Sequence, residues 1–276
     1  MGFKSFTRSR TGLITILIVL ILLIGTIWFS MNFTGTNRLI TAMEITIKPD
    51  TGVYFLNNQD VSNIVNKVAG NPTGQSFSQL NLTKIESTLK RLPYIIRSQV
   101  FVGLDGKLKI NITQRIPVLR IHNSAGEIYF LDSTGIKIPH HGHFAPDVLI
   151  ANGNIPELLK DSGKIKSTIA AELLKIAVFI YYDKFWNAQF EQLYVDNFND
   201  IILIPRVGRH SIVIGSSENL PEKFENLRIF YEKGLRNLGW DKYKTIDLRY
   251  RGQVVGIKDG KETIQPKPKT VQKQQH

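Results

Sequence analysis

The longest apolar run of the chain lies near its N-terminus, between Thr11 and Phe29, and reads TGLITILIVLILLIGTIWF without one charged residue. As a helix rising about 1.5 Å per residue, the run would measure about 28 Å, close to the thickness of a bilayer core. Trp28 falls where an indole ring suits the headgroup boundary. A cleaved signal peptide has a shorter apolar region and a small-residue cleavage site, whereas Gly25 is followed here by Thr, Ile and Trp. The pattern therefore predicts a transmembrane helix over residues 11–30.

The basic residues around this run predict its direction. Lys4, Arg8 and Arg10 precede it, whereas only Arg38 is basic within a similar distance beyond it. Basic residues are favoured on the cytoplasmic side of a membrane helix. Residues 1–10 are therefore predicted to form a cytoplasmic tail, and the rest of the chain is predicted to lie on the opposite side of the membrane.

Residues 40–115 show the hydrophobic spacing of a small mixed domain. The segment 43–48 (MEITIK) alternates between apolar and polar positions, as a half-buried strand does. Two helical patterns follow: Asn57 is a suitable N-cap for the first, Gly70 ends it, and Pro93 ends the second. Their apolar faces consist of Val61, Ile64, Val65 and Val68, and of Leu82, Ile85, Leu89 and Leu92.

A hairpin is predicted to complete this domain. Its first strand covers 94–102, with Ile96, Val100 and Val102 on one side, and the dipeptide at 105–106 (Asp-Gly) is a turn signal. In its second strand, apolar and polar residues alternate cleanly. The apolar positions of that strand are Leu108, Ile110 and Ile112. The predicted order of elements is β-α-α-β-β.

Residues 116–258 combine short strand patterns with two longer helical ones. Asp132 and Gly135 indicate a hairpin turn. One helix is predicted from Gly163 to about residue 182, and a second over 221–237. The predicted strands cover 190–196, 200–205, 209–214, 244–250 and 253–258. We therefore expect an α+β domain built on an antiparallel sheet.

Composition narrows the possible functions. The chain has 276 residues and no Cys, which excludes disulfides, thiol catalysis and Cys-ligated zinc. Its net charge of +12 would suit a polyanion. However, Lys and Arg are scattered and no aromatic-basic stacking motif is present, so nucleic acid is not predicted as a partner, and anionic lipid is at least as plausible. Residues 259–276 are polar and Pro-broken, which predicts a disordered tail.

No catalytic, metal or cofactor residue is predicted. His140, His141 and His143 form the only histidine cluster, but the Pro and Gly residues around them indicate a solvated loop. The glycine-containing segment 70–76 lacks the Lys of a phosphate-binding loop, and no G-x-S-x-G motif occurs. Glycan hydrolysis stays open as an alternative, because two carboxylates can meet from distant parts of a chain. The carboxylates considered are Glu191, Asp196, Asp200 and Asp247.

Several segments resemble known extracytoplasmic modules. The β-α-α-β-β order resembles a POTRA domain, and LKRLPYIIRSQVFVGLDGKLKINITQRIPV, which ends in QRIP at 114–117, is similar to the same region of the bacterial cell division family FtsQ/DivIB. The Tyr-x-x-Asp-x-x-Gly segment at 129–135 resembles the opening of the family's second domain. RVGRHSIVIG, LPEKFENLRIFYEKGL and YKTIDLRYRGQVVG then follow in the order of its C-terminal β domain. The resemblance covers residues 40–258 and is closest to Bacteroidota versions.

This resemblance implies a non-enzymatic divisome scaffold in the bacterial inner membrane, with periplasmic domains at the division septum. The implied partners are FtsB and FtsL-like membrane proteins, with FtsK as a further partner of the first domain. FtsB binding is implied at the final strand, which is expected to be a sheet edge open to a partner strand. The implied docking residues are Tyr250, Gly252, Gln253, Val254, Val255, Gly256 and Ile257. A weaker candidate set consists of Arg206, Gly208 and Arg209.

Alternatives remain open at this point. Val254 and Val255 could be ordinary core residues, Gly252 could serve only a turn, and Ile257 stands where the family often has an aromatic residue. For the whole protein, an extracytoplasmic cell-wall hydrolase and a POTRA-type membrane-protein assembly factor are the competing functions.

Overall fold

The computed structural model describes residues 10–33, 38–49, 55–140, 146–160 and 163–258. The chain divides into two compact units, Met1–Gln114 and Arg115–His276. Three parts of the sequence predictions lie outside the described residues: the tail at 259–276, all of the N-terminal tail except its last residue, and the pair His141 and His143.

The N-terminal apolar run forms a helix, α1 (Arg10–Phe33). Its large apolar side chains between Leu13 and Trp28 are each 49% to 70% exposed. Over the described residues, no helix meets both the length and the hydropathy needed to span a membrane.

The first domain has the predicted β-α-α-β-β order. Its elements are β1 (Met43–Lys48), α2 (Asn58–Ala69), a 3-10 turn (Phe77–Gln79), α3 (Leu82–Lys90), β2 (Ile95–Val102) and β3 (Leu108–Gln114). β3 is the central strand, parallel to β1 and antiparallel to β2. The predicted apolar positions that are fully buried in the core are Val61, Val65, Ile85, Leu89, Leu108, Ile110 and Ile112. The other predicted positions on the two helix faces are half-buried. The hydrophobic spacing thus located this core correctly.

One face of β2 was predicted wrongly. Ile96 was expected on the same side as Val100 and Val102, but Ile96 is 51% exposed and its neighbour Ile95 is buried instead, whereas Ser98 and Val100 are buried on the predicted side. The pairing of β2 with β3 shifts register between Ile95 and Arg97. Such a bulge inserts one extra residue and reverses the side to which the preceding residues point.

The described residues of the second domain form nine strands, four α-helices and a π-helical turn. The strands are β4 (Pro117–His122), β5 (Ile128–Asp132), β6 (Lys137–Pro139), β7 (Leu149–Gly153), β8 (Phe190–Val195), β9 (Ile201–Pro205), β10 (Ser211–Gly215), β11 (Thr245–Asp247) and β12 (Val255–Ile257). The helices are α4 (Thr168–Tyr182), α5 (Lys184–Gln189), α6 (Leu220–Phe230) and α7 (Arg236–Leu238), and a π-helical turn (Tyr231–Leu235) joins α6 to α7.

The sheet of this domain is mixed, which corrects the expectation of an antiparallel sheet. The strand order is β12-β11-β10-β9-β8-β7-β4-β5-β6. The pairs β4–β7, β7–β8 and β10–β11 are parallel, and the others are antiparallel. Parallel neighbours need a long crossover, and helices fill the two longest connections, from β7 to β8 and from β10 to β11. The helical patterns were recognised, but their consequence for strand direction was not.

The start of α4 also differs from prediction. The helix was expected from Gly163, but it begins at Thr168 behind the N-cap Ser167, whose side chain accepts the Ala170 N–H. Residues before the cap pair with the β5–β6 turn instead: the Gly163 carbonyl accepts the Lys137 N–H. A backbone that pairs with a strand cannot at the same time form helical hydrogen bonds.

The QRIP motif at 114–117 ends one unit and begins the next. The Gln114 side chain accepts the N–H groups of Phe55 and Leu56 at 2.9 and 3.2 Å, and it donates to the Leu56 carbonyl. Arg115 instead forms a 2.7 Å ion pair with Asp132, at the end of β5. Gln114 therefore secures the end of the first unit, and Arg115 secures the first hairpin of the second.

Candidate functional site

The last two strands form one edge of the nine-stranded sheet. β12 pairs only with β11 among the described strands, in an antiparallel register that matches Thr245 to Ile257 and Asp247 to Val255. An edge strand presents a row of backbone N–H and C=O groups without a neighbouring strand. Val255, Gly256 and Ile257 of the docking set lie in this edge strand, whereas the other four residues of the set lie in the turn before it, which corrects the expectation that all seven form the edge.

The direction of the free backbone groups follows from the pairing of β11. Leu248 donates its N–H to the Val213 carbonyl of β10 at 2.8 Å, so the even-numbered residues of β11 face β10. Odd-numbered residues then face β12, since successive residues of a strand alternate in direction. Gly256 lies opposite the even-numbered Ile246. The N–H and C=O of Gly256 therefore point to the open side of the sheet.

The side chains around Gly256 fall into two groups. Val254 is partly buried and packs against the core, whereas Val255 is 37% exposed. The alternative of a core position is therefore correct for Val254 and wrong for Val255. A Cβ on Gly256 would lie 2.6 Å from ring atoms of Tyr243, which explains why a residue without a side chain occupies this position.

An arginine clasp holds the connection between β11 and β12. Arg249 pairs with Asp247 at 2.6 Å and with Asp200 at 2.7 Å. Hydrogen bonds from Arg249 to the Asp247 carboxylate raise the pKa of the guanidinium, which stays fully charged. Asp247 is buried, so it depends on this partner. The clasp fixes the chain immediately before the turn that leads into the edge strand.

This turn lies beside a polar cleft. Gly252 has a φ of +69°, a conformation that glycine adopts without strain. Gln253 closes the turn by donating its N–H to the Tyr250 carbonyl. Tyr250 is 38% exposed. The cleft is lined on its other side by the start of α6 and the loop before it, namely Ser216, Glu218, Asn219, Glu222, Lys223 and Asn226. Tyr250, Gly252 and Gln253 thus line a cleft continuous with the edge.

The weaker candidate set lies at the opposite end of these strands. Arg206, Gly208 and Arg209 form the β9–β10 hairpin, which precedes Ser211, whereas the clasp and cleft follow the other ends of β10 and β11. Arg206 donates to the carbonyl of Phe190 and pairs with an exposed Asp, and Gly208 needs its φ of +88° for the turn. The structure therefore does not join the two sets into one site.

The carboxylates considered for hydrolysis have structural contacts. Asp200 and Asp247 share the single guanidinium of Arg249. Asp196 accepts the backbone N–H groups of Phe198 and Asp200, and these two bonds shape the β8–β9 turn. Glu191 is exposed. This arrangement gives no pair of carboxylates that faces a common cavity among these four residues.

The remaining candidates for chemistry, His140 and the loop at 70–76, also have ordinary structural contacts. His140 is exposed and stacks on Phe130, and the described residues contain no cluster of His, Asp or Glu suited to a metal ion. The loop at 70–76 connects α2 to the next turn, and Gly70 provides the C-cap of α2.

Two features of the site were missed by sequence reasoning. Arg249 was interpreted only as part of the strand predicted over 244–250, although Asp247 and Arg249 lie two positions apart and so on one side of that strand, which was an available signal for an ion pair. The π-helical turn after α6 had no sequence signal, because its residues fit the ordinary helical spacing of Phe224, Leu227 and Tyr231.

Two protein-family models match consecutive parts of the chain. The model of the family described as FtsQ/DivIB, C-terminal related, matches residues 116–257, just over half of the chain. The model of the POTRA-like domain matches residues 38–113. A comparison with curated proteins gave no match. The two matches follow one another along the chain in the order that the sequence motifs indicated, and the chain belongs to the FtsQ/DivIB family of bacterial cell division proteins.

Proposed function

We propose that this chain is a non-enzymatic divisome scaffold of the inner membrane, which recruits FtsB and FtsL-like proteins to the septum by adding a partner strand to β12. Its FtsQ/DivIB family is a non-enzymatic family of cell division proteins. The observation that carries the proposal is the free edge of β12, on which the N–H and C=O of Gly256 point outward. An edge of this kind binds an extended peptide through main-chain hydrogen bonds.

Side chains beside the edge would provide specificity. The exposed Val255 offers an apolar contact, and Tyr250 and Gln253 line the adjoining cleft. A partner strand longer than the three residues of β12 would extend past the turn at Gly252 toward that cleft. Ile257 stands where the family often has an aromatic residue, and it is partly buried. Its smaller side chain offers a docked strand less apolar contact area than an aromatic ring would.

Membrane attachment by residues 11–30 is part of the proposal. Its support is the uncharged run in the sequence and the exposure of at least 49% for each large apolar side chain from Leu13 to Trp28. A continuous exposed apolar surface of this length is stable only in an apolar environment. The basic residues before the run favour a cytoplasmic N-terminus, and with this orientation both domains would lie in the periplasm. FtsK is proposed as a partner of the first domain on the family resemblance alone.

The test of the docking edge is the variant Val255→Glu in the full chain. A charge on this exposed side chain would be desolvated by a docked strand, so we expect capture of the FtsB–FtsL pair of the same bacterium to fall at least about tenfold. The matched control is Phe198→Glu, which places the same charge on a side chain that is 81% exposed in the β8–β9 turn. Dissociation constants from biolayer interferometry and circular dichroism spectra are compared for both variants. Unchanged capture by folded Val255→Glu would refute edge docking.

An activity assay on the same protein preparation distinguishes the proposed scaffold from the hydrolase alternative. The proposal expects no release of soluble fragments from purified peptidoglycan. Turnover that disappears in Asp200→Asn or Asp247→Asn would overturn the non-enzymatic assignment.

A further inference from the structure

The end of the second domain that carries the β9–β10 hairpin displays exposed apolar and basic side chains together. The apolar members, Val207, Leu238 and Trp240, are 56%, 54% and 36% exposed. The basic members are Arg206, Arg209, Lys242 and Lys244, and all four are exposed. We call these seven residues the basic-aromatic face.

The basic-aromatic face is held together by buried rings. The His210 ring stacks on Trp240 with centroids 6.2 Å apart, and Tyr231 meets Trp240 edge-on at 5.1 Å. His210 Nε2 and the Tyr231 hydroxyl lie 3.1 Å apart. The Trp240 Cβ is also 3.6 Å from the position that a Cβ would take on Gly208. The hairpin tip and the loop after α7 are therefore one preformed surface.

The charge of this surface is net positive, because its four cations outnumber the neighbouring Asp147 and Asp241. Neither Arg209 nor Lys242 forms an ion pair with a described residue, and Arg206 forms its ion pair with the exposed Asp147, at 3.4 Å. Asp241 is the acidic residue within the loop itself. Four cations around exposed apolar side chains are complementary to a surface that is anionic outside and apolar beneath.

We propose that the basic-aromatic face binds the headgroup region of an anionic phospholipid bilayer. Trp240 supplies the ring that prefers the boundary between water and hydrocarbon, and Val207 at the hairpin tip can enter the acyl region. The four cations contribute electrostatic attraction, which near an anionic membrane amounts to about a fivefold gain in binding for each Lys or Arg. Because this face and the β12 docking edge use different residues, the lipid contact stands or falls independently of partner capture.

The absence of Cys allows a single-site test in the full chain. Val207→Cys, labelled with a nitroxide, reports on the hairpin tip, and Phe198→Cys reports on the turn at the other end of β9. Each labelled protein is mixed with nanodiscs of phosphatidylcholine, with or without phosphatidylglycerol. The accessibility of the label to a water-soluble paramagnetic reagent is measured by power saturation. This measurement follows position 207 itself, so it is informative whether or not α1 inserts into the disc.

We expect the accessibility at position 207 to fall severalfold in anionic discs only, with no change at position 198. The charge reversals Arg209→Glu and Lys242→Glu together should restore the value found in neutral discs, because two lost contacts alone weaken binding about 25-fold. Thermal unfolding checks that these exposed substitutions leave the fold intact. A label at position 207 that stays exposed in anionic discs would overturn the proposal. Equal protection in neutral discs would also overturn it, since charge would then play no part.

Discussion

A buried ion pair in the second domain allows a quantitative prediction. Lys137 and Glu157 form a salt bridge with side chains 1% and 3% exposed. Lys137 Nζ also donates to the Leu158 carbonyl at 2.6 Å, and Glu157 accepts the backbone N–H groups of Lys166 and Ser167. The pair thereby ties β6 to the segment that leads into α4.

The size of the effect follows from the pKa of Glu157. Burial raises this pKa, but Lys137 and the N–H groups of Ser167 and Lys166 outweigh burial and hold it at about 2, against an ordinary value of 4.5. A difference of this size corresponds to about 3 kcal/mol of stabilisation at neutral pH. Glu157→Gln keeps an oxygen that can accept the backbone N–H groups, but it leaves the Lys137 cation buried without its counter-charge. We therefore expect the variant to lose about 3 to 5 kcal/mol of unfolding free energy.

Urea unfolding monitored by fluorescence measures this loss for the second domain alone. The chain has three Trp residues, and in a Trp28→Phe background the remaining two, Trp186 and Trp240, both lie in the second domain. The control is Asp147→Asn, which removes the same kind of charge from an exposed ion pair with Arg206 and should cost less than about 1 kcal/mol. If the unfolding free energy of Glu157→Gln lies within about 1 kcal/mol of the parent value, the buried pair does not stabilise the fold as argued.

The pH dependence provides an independent check. Because the folded-state pKa of Glu157 is lowered, its contribution is complete above about pH 4.5 and is lost as the pH falls toward about 2. The stability gap between the parent and Glu157→Gln should therefore narrow across this window and stay constant above it. A gap that widened on acidification would contradict the assigned sign.

Three further predictions concern the edge, the clasp and the first domain. Gly256→Ala should destabilise β12 by about 1 to 3 kcal/mol and weaken FtsB capture, because the added Cβ would meet the Tyr243 ring. Adding Tyr243→Ala to this variant should restore capture. If capture is not restored, the ring is not the obstacle. Arg249→Ala should lower the unfolding free energy of the second domain by about 3 kcal/mol in urea titrations, since Asp247 is left buried and unpaired, whereas a loss below about 1 kcal/mol would argue against the clasp. Asn57→Ala removes the side-chain acceptor for the Asp60 N–H in a capping box and should raise hydrogen exchange in α2 by an amount equivalent to about 1 kcal/mol, with no change in the second domain.

Local structure followed from the sequence wherever one spacing dominated. The alternation of β3 and the i, i+3, i+4 face of α2 were both found as predicted, because each buries one face and exposes the other. Errors arose where tertiary contacts overrode spacing. Gly163 was assigned to α4 because it precedes an apolar pattern, but its carbonyl accepts the N–H of Lys137 in β6 instead of forming a helical bond. Ile96 was assigned to the buried face because no sequence signal marks the bulge beside it.

The position of the docking edge depends on a long-range property that periodicity does not contain. The connection from β10 to β11 holds α6 and α7, so β11 must return parallel to β10. The inner side of β10 is already occupied by β9, which leaves the outer side for β11. The short hairpin that follows can then pair only beyond β11. A crossover helix thus forces the last strand to the edge, and the Arg249 clasp fixes the turn that precedes it. The freedom of the Gly256 backbone is consequently a product of chain order, and moving α6 elsewhere in the chain would remove it even with every residue of β12 unchanged.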